Sequence, residues 1–241
     1  MAFDSWRGSV GIIKPTLRPG SIEDLIRILP EGIGVVLTNI DIRTGTRSEF
    51  ESVIPRYEAR VAELAEADVD IIHPAGAPPF FLLGYQGEQE LLQRWTEKYG
   101  KPVFTNGTTQ VNALRAFGCR SFVGVSYFPG DINLAYADYF RQAGFDVRDM
   151  QGMDVAFDRV QSLSSREVYK FIRTLFLKHP DVDAIYMLGS GWRTMDIIEM
   201  MESDFGVPVV HHIPAQSWEI QKRLHVRQKV NGYGRLLAEM P

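Results

Sequence analysis

The 241-residue chain contains one cysteine, Cys119. That excludes an intrachain disulfide framework and any site built from several thiolates. Long hydrophobic runs are missing as well. A membrane helix needs about 20 consecutive apolar residues, and the longest runs here are strand-length pieces such as IGVVL. Positive charge is not in excess: Lys and Arg number 26 against 30 Asp and Glu, a formal net charge of -4, which argues against a nucleic-acid footprint. None of the 5 histidines stands in H-x-H or H-x-x-x-H spacing, so no metal site is expected. The opening MAFDSWRGSV carries no apolar signal-peptide core, and a cytoplasmic protein without membrane or nucleic-acid partners is the expectation. What is present is ordinary for a globular protein, 45% apolar and 23% charged residues, and long enough for one large domain or two small ones with their own cores.

The chain also repeats itself. SVGIIKP, from Ser9, matches SFVGVSYFP around Gly124. DVDIIHPAG, from Asp68, matches DVDAIYMLG, from Asp181. GKPVFTNGTTQ, from Gly100, matches GVPVVHHIPAQ, from Gly206. Order is kept and spacing is nearly kept, and the period is far too long for a solenoid of roughly 20–50-residue units. Each phrase is a short β-branched or apolar run closed by Gly, Pro or Thr, the pattern of a buried parallel strand.

Amphipathic helices are expected between these strands. SEFESVIPRYEARVAELAEA places Val53, Tyr57, Val61 and Leu64 at helical spacing, with Pro55 in the first turn. GYQGEQELLQRWTEKYG ends on Gly100, a C-cap signal. GSGWRTMDIIEMMESDFG reads as a glycine turn feeding a helix that turns Ile197, Met200 and Met201 inward. Alternating strands and helices define an α/β fold. Duplication makes it two similar Rossmann-like lobes with parallel sheets, related by a pseudo-two-fold, with a cleft between them. The expected division is a first lobe over 1–112, completed by 215–241, and a second over 113–214. Ligands bind beyond the carboxyl ends of such strands, here the loops 14–16, 73–78, 105–109, 126–131, 189–193 and 211–214.

The two-lobed repeat, the small-residue turns and NALRAFGCRSFVGVSYFPGDIN resemble the aspartate/glutamate racemase superfamily. Within it the chain is most similar to the branch holding arylmalonate decarboxylases and maleate isomerases, and GVPVV followed by PAQSW, with GYGRLL near the end, look most like the decarboxylases. The resemblance implies an enzyme that works beside a carboxylate with no metal and no organic cofactor. It also implies thiols at the ends of the two central strands: both in racemases and maleate isomerases, the second alone in the decarboxylases. The matching positions here are Gly76 and Gly189, and the neighbours Ala75, Ala77, Leu188 and Ser190 offer no thiol either. Cys119 precedes a strand in FGCRSF and is expected at its amino end, away from the cleft. Two-thiol racemisation is therefore excluded, and a decarboxylation would need another proton donor.

An anion-binding frame remains. AGAP and GSGW expose successive backbone N–H groups, assigning substrate contacts to Gly76, Ala77, Gly189, Ser190 and Gly191. Tyr127 matches a carboxylate-holding tyrosine of the decarboxylase branch, with Ser126 beside it. His73, Lys14 and His212 are candidate acids or bases at strand ends. His73 reads equally as a core histidine bonded to a backbone carbonyl, and Lys14 equally as a solvated surface lysine. His211 and His212 correspond to Thr105 and Asn106 in the repeat; neighbours on a strand face opposite ways, and His212 is preferred for the cleft, with Asn106 as its counterpart. Arg193 could clamp an oxyanion or sit solvated on its helix. GAPPFFLLGYQG offers either an apolar wall to the cleft or a plug for the lobe's own core.

The expected activity is a cofactor-independent lyase, decarboxylase-like, acting on a small and optionally aryl-substituted dicarboxylic acid. Its enediolate would be held by backbone N–H groups and protonated by a non-cysteine donor. A cis-trans isomerase or hydratase of an unsaturated diacid, a hydrolase with a histidine base, and a non-catalytic small-acid binder stand as alternatives. The expected partner is a small carboxylate; a homo-oligomer is compatible with the sequence.

Overall fold

The structure, a computed structural model, describes residues 5–188 and 191–241. The first half runs β1 (Ser9–Lys14), α1 (Ser21–Ile28), β2 (Gly34–Asn39), α2 (Arg47–Ser52), α3 (Ile54–Glu66), β3 (Ile71–Pro74), α4 (Ala77–Phe81), α5 (Gly84–Tyr99) and α6 (Asn106–Ala116). The second runs β4 (Ser121–Ser126), α7 (Gly130–Gln142), β5 (Asp146–Gly152), α8 (Ser165–Phe176), β6 (Ala184–Met187), α9 (Ile198–Phe205) and β7 (Val209–His211), followed by α10 (His212–Arg223) and α11 (Arg235–Glu239).

Two parallel sheets result, ordered β2-β1-β3 and β5-β4-β6-β7. The first is extended beyond β3 by a parallel bridge from Ile72 to Val103. There Ile72 N donates to Pro102 O at 2.9 Å, and Phe104 N to Ile72 O at 3.1 Å. The same bond occurs at the matching place in the second sheet, where Ile185 N donates to Pro208 O at 3.0 Å. The strand order is thus common to both halves, as the repeated phrases imply. α10 leaves the second sheet and packs against α1 and α6 of the first half.

The repeated DVD has a structural reason. Its second aspartate ties the central strand to the strand beside it. Asp70 Oδ2 accepts from Ser9 N at 2.7 Å and from Ser9 Oγ at 2.9 Å. Asp183 Oδ2 accepts from Ser121 N at 2.8 Å and Ser121 Oγ at 3.1 Å. Asp183 also takes Arg120 N at 2.8 Å, and the backbone N–H groups of Arg120 and Ser121 hold its carboxyl below the ordinary aspartate range. In each half an aspartate satisfies the donors that open the first strand of a sheet.

Helix boundaries follow local chemistry. The expected helix from Ser48 to Ala67 is two, because Val53 separates α2 from α3 and Pro55 sits in the first turn of α3, where its missing N–H costs no hydrogen bond. α5 stops at Gly100, which takes the left-handed conformation at φ 66°. The segment after β6 differs from expectation: a 3-10 turn, Met195–Ile197, precedes α9. The register shift turns Met200 outward, 53% exposed, while Ile197, Ile198 and Met201 are buried.

An aromatic seam joins the halves. Phe81 of α4 stacks on Tyr139 of α7 at 4.0 Å and meets Tyr136 and Phe140 edge-on. Phe80 packs on Tyr57 and Trp95. The two phenylalanines of GAPPFF therefore fill the core. No described helix is long and apolar enough to cross a membrane.

Candidate active site

Parallel strands deliver their following loops to one end of a sheet, and both sheets contribute that end to one pocket. β1 supplies Lys14 and, in the loop beyond it, Thr16 and Arg18; β3 is followed by Ala75, Gly76 and Pro78. From the second sheet come Tyr127 and Phe128 after β4, Phe157 after β5 and Gly191 after β6. His212 and Gln216 project from the first turns of α10. Ile12, Leu25, Ile42 and Phe50 complete apolar walls.

Charge is distributed one way. Among the described residues, Lys14 and Arg18 line the pocket and no Asp or Glu does. Burial pulls the Lys14 ammonium below its ordinary pKa, partly opposed by the charge of Glu23. Burial also lowers that of Arg18, against Tyr127 and Asp158. Arg18 lies with its guanidinium carbon 3.7 Å from the centre of the Phe157 ring and donates to the Phe157 carbonyl. Lys14 Nζ donates to the Arg18 carbonyl. Gln161 Nε2 reaches Pro19 O at 2.7 Å. The loop after β1 is thus pinned across the pocket mouth onto the loop after β5. Arg18 was not among the residues the sequence singled out, because the expected strand-end loop closes at Thr16. The usable signal was KPTLRPG itself, a second cation held between Pro15 and Pro19.

Gly76 lines the pocket and needs to be glycine as the turn is built. Its φ is 103°, and a Cβ there would lie 2.8 Å from Tyr57 Oη. That hydroxyl is committed to Ala75 O at 2.5 Å. Gly191 is required for closeness rather than for φ: a Cβ would come within 2.9 Å of the Tyr127 ring and of Val160. Gly189 and Ser190 lie outside the described residues.

The histidines separate by hydrogen bonding. His212 is 3% exposed and lines the pocket. His211 turns the other way: its Nδ1 accepts from Ile213 N at 3.2 Å, so Nε2 carries the proton toward Thr194 Oγ1 at 3.0 Å. His73 is fully buried, bonded through Nδ1 to Phe104 O at 2.9 Å, and is not among the pocket-lining residues. This is the core histidine with a backbone partner that the sequence allowed. Burial pushes His212 down to about 4 and His211 and His73 to about 3. All three are neutral at pH 7.

Other expected site residues fall around this centre. Asn106 is buried behind the pocket, bonded to both Gly76 and His212. Tyr127 lines the pocket, edge-on to Trp192 at 5.5 Å. Ser126 is turned into its own loop, where its hydroxyl bonds Asn133 Oδ1 at 2.5 Å and receives Phe128 N at 3.0 Å. Ala77 is buried in the first turn of α4. Arg193 is exposed and lines a neighbouring surface cleft with Glu23, Asp24 and Arg27. Cys119 lies just before β4, at the amino end of the sheet, with Sγ 3.6 Å from Asp183 O. Burial and the nearby Asp183 push its thiol up to about 11. Among the described residues no group of three or more His, Cys, Asp or Glu is placed to hold a metal ion.

Two parallel sheets whose carboxyl ends share one pocket lined by Lys14 and Arg18 define this α/β protein. The arylmalonate decarboxylase family profile matches residues 10–237, and the chain belongs to that family, a family of enzymes. It is 23% identical over 233 residues to the arylmalonate decarboxylase of Bordetella bronchiseptica, covering 96% of this chain and 97% of that protein. Its fold is similar to that of the maleate isomerase of Pseudomonas putida S16, with a TM-score of 0.87 and 19% identity over 97% of this chain and 99% of that one. A mutant of the Nocardia farcinica maleate cis-trans isomerase, carrying a covalently bound succinylcysteine intermediate, superposes with a TM-score of 0.87 at 21% identity, over 96% of this chain and 98% of that one.

Proposed function

We propose that the chain is a cofactor-independent decarboxylase acting on a small dicarboxylic acid. The observation that carries this reading is the pocket itself: Lys14 and Arg18 face it, no described carboxylate does, and the remaining walls are largely apolar. Two cations in a partly dry pocket favour an anion with two carboxylates. The apolar walls favour loss of one carboxylate's charge as carbon dioxide.

In the proposed reaction the bond from the α-carbon to one carboxylate breaks and carbon dioxide leaves. The bonding electron pair delocalises into the retained carboxylate as an enediolate. Arg18 offers that group a charged donor fork, and His212, neutral at pH 7, offers an N–H rather than a transferable charge. The Lys14 ammonium, already below its ordinary pKa, gives its proton to the α-carbon and is recharged from solvent. Family membership supports the reaction class. The position of Cys119, outside the pocket lining, weighs against a mechanism with a cysteine adduct such as the one captured in the Nocardia farcinica isomerase. We further propose that residues 1–112 with 215–241 act as one lobe and 113–214 as the other.

The test is incubation with alkyl- and aryl-substituted malonates and with unsaturated diacids in deuterated water, followed by NMR. Carbon dioxide release with one deuterium at the α-carbon is the expected result. Geometric isomerisation of a diacid without loss of carbon, or binding without turnover across the panel, would overturn it.

A further inference from the structure

The hydrogen bonds behind the pocket fix the chemical state of His212. Gly76 N–H is a donor only, and it reaches Asn106 Oδ1 at 2.6 Å. That contact sets the orientation of the Asn106 amide, because the opposite flip would oppose two donors. Asn106 Nδ2 is then the atom 2.6 Å from His212 Nδ1. An amide NH₂ has protons and no lone pair to offer, so His212 Nδ1 must accept. The ring proton of the neutral imidazole is left on Nε2, the nitrogen that Asn106 does not engage.

We propose that Asn106 is a positioning residue that locks His212 in the Nε2–H tautomer and so presents a fixed hydrogen-bond donor to the pocket. Both side chains are buried, Asn106 completely and His212 to 3% exposure, so water does not compete freely for the Nδ1 lone pair. Asn106 opens α6 and His212 opens α10, and these two helices pack together. The pair therefore also links the turn after β3 to the segment leaving β7. A substrate oxyanion would meet an N–H already oriented, with no proton rearrangement on binding. His73 has its own Nδ1 held by Phe104 O, so it does not compete for Asn106.

The inference rests on reading this pocket as the active site, yet its test needs no substrate, so failure of the decarboxylase assignment would leave the result unchanged. Long-range ¹H–¹⁵N correlation spectra of the ¹⁵N-labelled full chain, with His212→Gln to assign the resonances, should show His212 Nδ1 as an unprotonated acceptor and Nε2 as protonated. A scalar coupling across the hydrogen bond from Asn106 Nδ2 to His212 Nδ1 should be visible in the unmodified protein. In Asn106→Asp the carboxylate can still accept from Gly76 but can only accept from His212, so Nδ1 should become protonated. An Nδ1–H tautomer in the unmodified protein, absence of the coupling, or an Nδ1 still unprotonated in a folded Asn106→Asp variant would each overturn the proposal. If Asn106→Asp does not fold, the spectra of the unmodified protein decide alone.

Discussion

At the residue scale, the pocket is set apart by what its side chains can and cannot do at neutral pH. His212 cannot carry a positive charge there, since burial pushes it down to about 4; it is a hydrogen-bond donor. Arg18 brings a planar donor fork to the pocket, stacked on Phe157. Replacing it with Met should lower kcat/KM by about a hundredfold or more, roughly 3 kcal/mol, as expected for removing one partner of a desolvated charge pair. Arg18→Lys should recover only part of this, because an ammonium has neither the planar fork nor the stack on Phe157. Steady-state kinetics on the best malonate of the panel decide both. Cys119 predicts the opposite outcome. Its thiol is pushed up to about 11 and its sulfur faces Asp183 O, so Cys119→Ala should retain kcat/KM within about twofold and the native thiol should react slowly with a disulfide reagent.

At the scale of elements, much was legible because the signals are local and periodic. The strands around Gly11, Ile72, Gly124 and Tyr186 are short apolar runs ending at glycine or proline, and they form β1, β3, β4 and β6. Gly100 marks the end of α5 as its sequence position implies. What local pattern could not carry was direction. Phe80 and Phe81 satisfy a cleft wall and a core plug equally in sequence, and only the neighbouring Trp95 and Tyr139 rings decide for the core. Met200 fits a helical stripe until a 3-10 turn shifts the phase of α9. Arg18 was missed because a loop has no period to read, and its role depends on Phe157 from the other half of the chain. The DVD repeat is the converse case, a pattern visible in sequence whose reason needs geometry. Asp70→Ala and Asp183→Ala each leave a pair of strand-opening backbone and hydroxyl donors without their acceptor. Each should cost about 1 kcal/mol at these exposed positions, or a few degrees of Tm in thermal unfolding, and the two should add because they lie in different sheets.

At the scale of the whole molecule, four buried groups bias stability against pH in opposite senses. Glu88 of α5 is fully buried between the halves, bonded by Thr105 Oγ1 and Tyr139 Oη. Burial pushes its carboxyl up to about 7. The unfolded chain would release that proton near the ordinary glutamate value, so the stabilisation from a protonated Glu88 is present in acid and lost as pH rises through about 7. His73, His211 and His212 act the other way. Held neutral at about 3, 3 and 4, they contribute stability above the unfolded histidine value that is lost as pH falls. Denaturant unfolding should therefore show stability falling as pH drops below about 6.5, where three histidines outweigh one glutamate, and levelling off above about pH 7. Glu88→Gln should make the acid-side fall steeper between about pH 4.5 and 7, where Glu88 opposes the histidines, and leave the slope above about pH 7 unchanged. An unchanged profile would remove Glu88 from this account.

As proposed above, a family fold with no cysteine in its pocket lining still releases carbon dioxide and replaces it with a proton. The direct test is ¹³C and ¹H NMR of the Cys119→Ala protein with a carboxyl-¹³C-labelled substituted malonate in deuterated water. Labelled carbon dioxide and one deuterium at the α-carbon are expected, at a rate matching the unmodified protein and falling sharply in Arg18→Met. A substrate that binds without losing carbon dioxide, or turnover that disappears with Cys119, would contradict it.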